Sequence, residues 1–222
     1  MTAEGNRDIL VDDYIDMIDY CGVDSFVTCN DEVPLAIGKR RGRQSVNRSK
    51  SWLKSHLQSE KKKQGMIANI QVTENIQLLE EQLSIINEKA SELLGVHISG
   101  LHLGESLAQR EFLLNTIYSK IPEDLVRFVS GPNTPCDIID SIRLGTDVMV
   151  CSYPVHLAEK AYASTYGVEG NPGSKISCLN TKYKDDTSAI VEGCDCYSCS
   201  HFTKGYIHHL FNCHELLGII LL

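Results

Sequence analysis

MIANIQVTENIQLLEEQLSIINEKASELLGVHIS, residues 66–99, is the stretch on which the fold turns. Met66-Ile-Ala-Asn-Ile-Gln71 is a short apolar run of strand length. From about Glu74 to Leu94 the spacing becomes helical, with Ile76, Leu79, Leu83, Ile86, Ala90 and Leu93 on one face. Gly95 closes the helix, and Val96-His-Ile-Ser99 is a second strand. The first opens as a continuous apolar run, Met66-Ile-Ala68, rather than as an apolar–polar alternation. Strands that read this way are covered on both faces and lie parallel, joined by a helix that crosses the sheet.

The rhythm extends in both directions. Upstream, Val11, Tyr14, Ile15 and Ile18 mark a helix with Asp8 as its cap and Gly22 at its end. A strand follows at Asp24–Cys29, then a polar loop over Asn30–Arg43 and a helix over Gln44–Gln64. Downstream lie a helix over Ser106–Ile121, a strand at Leu125–Ser130, a short helix from Pro135 to near Gly145, and a strand at Asp147–Cys151. Strands alternating with helices fit an open doubly wound sheet or a (β/α)8 barrel. After Cys151 the pattern breaks. Tyr153–Asp186 reads as loops with a hairpin and a turn at Gly170-Asn-Pro-Gly173, and helices are expected over Thr203–Phe211 and His214–Leu222. The chain is therefore expected to divide into residues 1–152 and 153–222.

Composition sets further bounds. The 222 residues are 42% hydrophobic and 23% charged, as in a globular protein rather than a disordered one. A net charge of −8 excludes a uniformly basic nucleic-acid coat. Yet ten of the 21 Lys and Arg residues lie between Lys39 and Lys63. That asymmetry reads either as a phosphate-facing patch or as a solvated helix face. No apolar run approaches the ~18 residues of a membrane helix, and Met1–Asp8 lacks the apolar core of a secretory signal.

Nine cysteines, an odd number, argue against a secreted disulfide framework. Three of them stand apart. Cys194-Asp-Cys196-Tyr-Ser-Cys199 brings three thiols into six residues, a knuckle whose thiolates suit one zinc ion and leave a fourth position open. His201, His208, His209 and His214 follow, none at a spacing that selects it as the fourth ligand.

Gly193–Leu210, with C-x-C-x-x-C and then Tyr206-Ile-His-His-Leu210, resembles the zinc module of the tRNA-guanine transglycosylase family. Ser99-Gly-Leu-His-Leu-Gly-Glu105 is similar to that family's glycine turn, and Gly145-Thr-Asp-Val-Met-Val-Cys-Ser-Tyr-Pro154 to its catalytic strand. Phe128-Val-Ser-Gly131 and Asp137-Ile-Ile-Asp140 resemble the segment between them. The resemblance implies a (β/α)8 barrel with a zinc subdomain, and exchange of guanine for queuine at wobble position 34 of tRNAs with GUN anticodons through an Asp nucleophile. It also implies base-pocket roles for Asp31, Gln71 and Gly100, and one zinc held by Cys194, Cys196 and Cys199 with a histidine beyond Leu222.

The family nucleophile position falls on Val150, which cannot attack an anomeric carbon. That departure, with Lys39–Ser51, resembles the non-catalytic accessory branch of the eukaryotic enzyme. The expectation is then a chain that is not itself an enzyme. It would pair with a catalytic subunit as a heterodimer, reach tRNA through that complex, and reside in the cytoplasm with peripheral attachment to the mitochondrial outer membrane. The alternatives are an active transglycosylase using another carboxylate, or a defective fragment. Five barrel-type strands where eight are needed lead to the expectation of a partial barrel truncated at both ends.

Overall fold

The computed structural model describes residues 9–59, 61, 65–165 and 175–222. The expected Asp8 cap and the Gly170–Gly173 turn lie outside the described residues. Two compact units emerge: residues 1–132 with 136–150, and residues 133–135 with 151–222.

In the first unit, β1 (Phe26–Val27), β2 (Met66–Gln71), β3 (Gly95–Ser99), β4 (Val126–Ser130) and β5 (Val148–Val150) form one parallel sheet. Its spatial order is the chain order, 1-2-3-4-5. That order decides between the two architectures the sequence left open. A doubly wound sheet reverses direction at a switch point; this sheet never does, so every crossover winds one way and the sheet curls into a partial (β/α)8 barrel of five strands. The expected α/β partial barrel is what forms.

Helices α1 (Val11–Cys21), α2 (Lys39–Gln58), α3 (Ile76–Glu88), α4 (Leu107–Tyr118) and α5 (Pro135–Arg143) flank it. Gly22 ends α1 at φ +63, in the left-handed region where a Cβ is costly. Ser106 and Gln109 cap α4 reciprocally: the Ser106 hydroxyl accepts from the Gln109 N–H, and the Gln109 amide oxygen accepts from the Ser106 N–H. Met66, Ala68, Ile70, Val96 and Ile98 point outward and pack with Leu79, Leu83, Ile86, Leu114 and Ile117 from the helices. Residues of the opposite parity, from Asn69 and Gln71 to His97, Ser99, Ser130 and Val150, share the inner face.

Two local expectations are corrected. The stretch read as loop to Arg43 is helical from Lys39. Lys and Arg are good helix formers, and the single Gly42 does not interrupt the turn. Tyr153–Glu159 is a helix, α6, with Pro154 in its first turn, where a missing N–H costs nothing.

The second unit contains α6, an antiparallel ribbon of β6 (Tyr162–Ser164) and β7 (Lys175–Ser177), and helices α7 (Tyr197–His201), α8 (Lys204–Asn212) and α9 (Leu216–Ile220). Its own small core joins Ala161, Ala163, Cys178, Ile190, Ile207, Leu210 and Leu221. No described helix is long and apolar enough to cross a membrane.

Candidate functional site

Parallel strands place their C-terminal ends, and the loops that follow, at one mouth of the barrel. Chemistry in such folds is built there. Gln71 closes β2, Gly100 follows β3, Asp31 lies in the loop after β1, and Val150 closes β5. Gln71 and Gly100 are brought together, whereas Asp31 is directed to α2. A Cβ added to Gly100, at φ +89, would lie 2.5 Å from Gln71 Nε2 and 2.6 Å from the Val33 carbonyl oxygen.

Each of these groups is engaged within the protein. Gln71 is fully buried. Its Nε2 donates to the Val33 carbonyl at 2.8 Å, and its Oε1 accepts from Asn30 Nδ2 at 3.2 Å. Asp31 turns toward α2, where Arg41 donates to both carboxylate oxygens at 2.8 and 2.6 Å and Arg48 donates to Oδ2 at 2.8 Å. The Arg41 hydrogen bonds hold its carboxyl below the usual range, against the opposing effect of burial. The sequence does not show this clamp, because it joins residues ten and seventeen positions apart across a loop and a helix.

The inner face also carries a polar row that spacing alone did not single out. Asn69 Nδ2 lies 3.0 Å from His97 Nδ1, the Ser99 hydroxyl lies 3.0 Å from the same nitrogen, and His97 Nε2 lies 2.6 Å from the Ser130 hydroxyl. Burial pushes the His97 imidazole below its ordinary pKa, so the ring is neutral at pH 7. Ser130 is paired in register with Val150 on the neighbouring strand. Val150 is 62% exposed and presents only carbon to the mouth. Asp147 precedes β5, at the other end of the strand, and its Oδ2 accepts from the Arg127 N–H at 2.9 Å. Glu32, exposed beside Asp31, accepts from the Gly100 N–H at 2.9 Å, which sets a carboxylate across the mouth from β1 to β3.

The turn after β3 is rigid. Glu105 accepts from the His102 and Leu103 N–H groups at 2.8 and 3.1 Å and from Arg110 Nε at 2.7 Å. Arg110 also donates to Asp137 at 2.7 Å. Burial raises the Glu105 carboxyl, but Arg110 and the backbone N–H groups outweigh it and leave the group below its ordinary value.

In the second unit the Sγ atoms of Cys194, Cys196 and Cys199 lie within 4.8 Å of one another, the one such cluster among the described residues. Cys196 caps α7, and the Cys199 N–H donates to its sulfur at 3.4 Å. That bond, with its neighbouring thiols, lowers the Cys196 pKa. Three convergent thiols with one biased to thiolate are a soft donor set that can hold a metal ion. His208 is buried and spends Nδ1 on the Cys178 carbonyl, and His209 lies 3.6 Å from Cys213; neither joins the cluster.

Residues 2–222 match the family described as Queuine tRNA-ribosyltransferase. The chain belongs to that family. It is 32% identical to the queuine tRNA-ribosyltransferase of Helicobacter pylori over 197 residues, 87% of this chain and 51% of the relative. It is 30% identical to that of Fusobacterium nucleatum over 177 residues, 79% of this chain and 46% of the relative. A third, from Francisella tularensis, is 31% identical over 193 residues, 86% of this chain and 51% of the relative. The chain thus spans about half the length of the curated relatives it matches. This family membership corrects one expectation. Val150 had led to a chain that is not an enzyme, but the relatives are named as transferases and the match covers almost every residue. One side chain at the end of β5 does not remove a chain from a transferase family.

Proposed function

We propose that this chain carries out tRNA-guanine transglycosylation, exchanging guanine for queuine at wobble position 34 of tRNAs with GUN anticodons. The observation that supports this reading is the match of residues 2–222 to a transferase family, on a sheet ordered 1-2-3-4-5 with its polar loops at one mouth. The reaction is a displacement at the ribose anomeric carbon. A carboxylate attacks, guanine leaves with its electrons, and the incoming base then displaces the carboxylate. On this chain the carboxylate that fits the role is Glu32, which is exposed at the mouth and held by a single backbone N–H. Asp31 is clamped by two arginines and Glu105 is committed to Arg110.

Val150 favours a second reading. Its apolar side chain at the family nucleophile position leaves a place for a family subunit that carries an aspartate there, so the working enzyme would be a heterodimer that holds tRNA between its chains. In either case Cys194, Cys196 and Cys199 would hold one zinc ion. Its role there is structural, fixing the knuckle at the start of α7.

Incorporation of labelled guanine into a GUN tRNA by the purified chain tests the first reading. Exchange that is lost in Glu32→Gln supports it. No exchange alone, but exchange above the partner's own level on adding the aspartate-bearing subunit, supports the second.

A further inference from the structure

Helix α2 carries seven Lys and Arg residues in twenty positions and no acidic residue. The fold disposes of some of them. Arg41 and Arg48 are bound to Asp31, and Lys50 to Glu81. Lys54 is exposed further along the helix; Lys39, Arg40 and Arg43 are likewise without an ion pair among the described residues, all exposed and all at the amino end of the helix. This is the worst place on a helix for them. The amino end already carries positive dipole charge, the first turn holds no acidic residue, and Lys39 and Arg43 sit at i,i+4, where like charges repel. Each such effect costs a few tenths of a kcal/mol. A local choice that opposes stability, with no ion pair formed among the described residues, points to an external counter-charge.

The position agrees. The amino end of α2 follows the loop after β1, so it borders the mouth that Asp31, Gln71 and Gly100 surround. Lys39 and Arg43 line a cleft of about 500 Å³ together with Thr73 and Asn75. Glu74 lines the same cleft, a single carboxylate against the three positive side chains of this helix end.

We propose that Lys39, Arg40 and Arg43 form a contact site for an RNA phosphate backbone at the rim of the barrel mouth. The choice of RNA over an acidic protein rests on the proposed transglycosylase reading, in which the nucleic acid must be anchored while one of its nucleotides enters the mouth. The site contributes charge rather than sequence reading, because no aromatic side chain lies among the three cations to stack a base.

The test is equilibrium binding of the full chain to two RNAs of equal length, a GUN-anticodon tRNA transcript and an unrelated tRNA, over a range of salt. The triple variant Lys39→Gln/Arg40→Gln/Arg43→Gln is expected to weaken both complexes at least tenfold at low salt. It is also expected to flatten the slope of log K against log salt by about 2, at ~0.7–0.9 per phosphate contact. The variant Lys89→Gln/Lys120→Gln/Arg143→Gln changes net charge equally at three exposed pairs elsewhere and should leave both unchanged. Lys39→Arg/Arg40→Lys/Arg43→Lys keeps the charge and should keep the binding, which separates charge loss from misfolding. Unchanged affinity and slope in the triple variant, equal losses in the control, absence of RNA binding by the wild type, or binding of polyglutamate in preference to RNA would each overturn the proposal. Loss of backbone binding on both RNAs is measured independently of base exchange, so failure of the transglycosylase reading is seen separately.

Discussion

Replacing Arg110 with Met should unfasten the turn after β3. Arg110 is 8% exposed, and its guanidinium joins Glu105 at 2.7 Å to Asp137 at 2.7 Å, while the Glu105 side chain is 1% exposed. Met fills most of the volume and loses the charge, so the chief cost is a buried carboxylate without its cation. Breaking a buried pair by removing one partner costs ~3–5 kcal/mol. Glu105 keeps the His102 and Leu103 N–H groups, which places the loss near the lower end, about 3 kcal/mol. At a urea dependence of roughly 2 kcal/mol per molar, the midpoint should fall by about 1.5 M. Adding Glu105→Gln should recover part of the loss, because the uncompensated charge is gone. The pH dependence has a definite sign. The folded Glu105 carboxyl is depressed, so its contribution is present above the ordinary carboxylate value of 4.5 and is lost as pH falls through the folded value. The gap between variant and wild type should therefore narrow in acid. A midpoint shift below about 0.5 M, or a loss that Glu105→Gln deepens, would refute the reasoning.

Three further outcomes are expected. Burial pushes His56 down to about 4 from 6.5, so the unfolded chain binds more protons between these values; stability should fall as pH drops from about 6.5 toward 4, and His56→Phe should remove that slope in urea titrations at pH 7.5 and 5. Gly100→Ala should cost about 3 kcal/mol in the same assay, since its Cβ meets Gln71 and the Val33 carbonyl below 3 Å at a left-handed φ. Zinc content by elemental analysis should be one per chain and should fall sharply in Cys196→Ser, with loss of protease resistance in residues 175–222.

What could be read from the sequence was what local spacing encodes. The apolar run Met66–Gln71 is a strand with those bounds, and the three thiols of Cys194–Cys199 converge because six residues leave them little choice. The barrel itself was not separable from a doubly wound sheet, because strand order is a tertiary property that each βα unit leaves open. The base-pocket residues were placed by resemblance, yet their state was not legible. Gln71 is satisfied by Asn30 and Val33, and Asp31 by Arg41 and Arg48, through contacts no periodicity announces. The basic stretch was ambiguous for the same reason. Only the fold shows which cations are spent internally, and that Lys39, Arg40 and Arg43, without an ion pair among the described residues, gather at one helix end. Val150 invited too strong a conclusion, since a missing carboxylate on one strand says nothing of Glu32 across the mouth.

The most direct measurement is guanine exchange at position 34 of a GUN tRNA, made with this chain alone and with this chain added to an aspartate-bearing family subunit. Incorporation by the chain alone, or incorporation in the mixture above that of the second subunit by itself, is the expected result. Incorporation that is nil alone and unchanged in the mixture would contradict the assignment of this chain to transglycosylation.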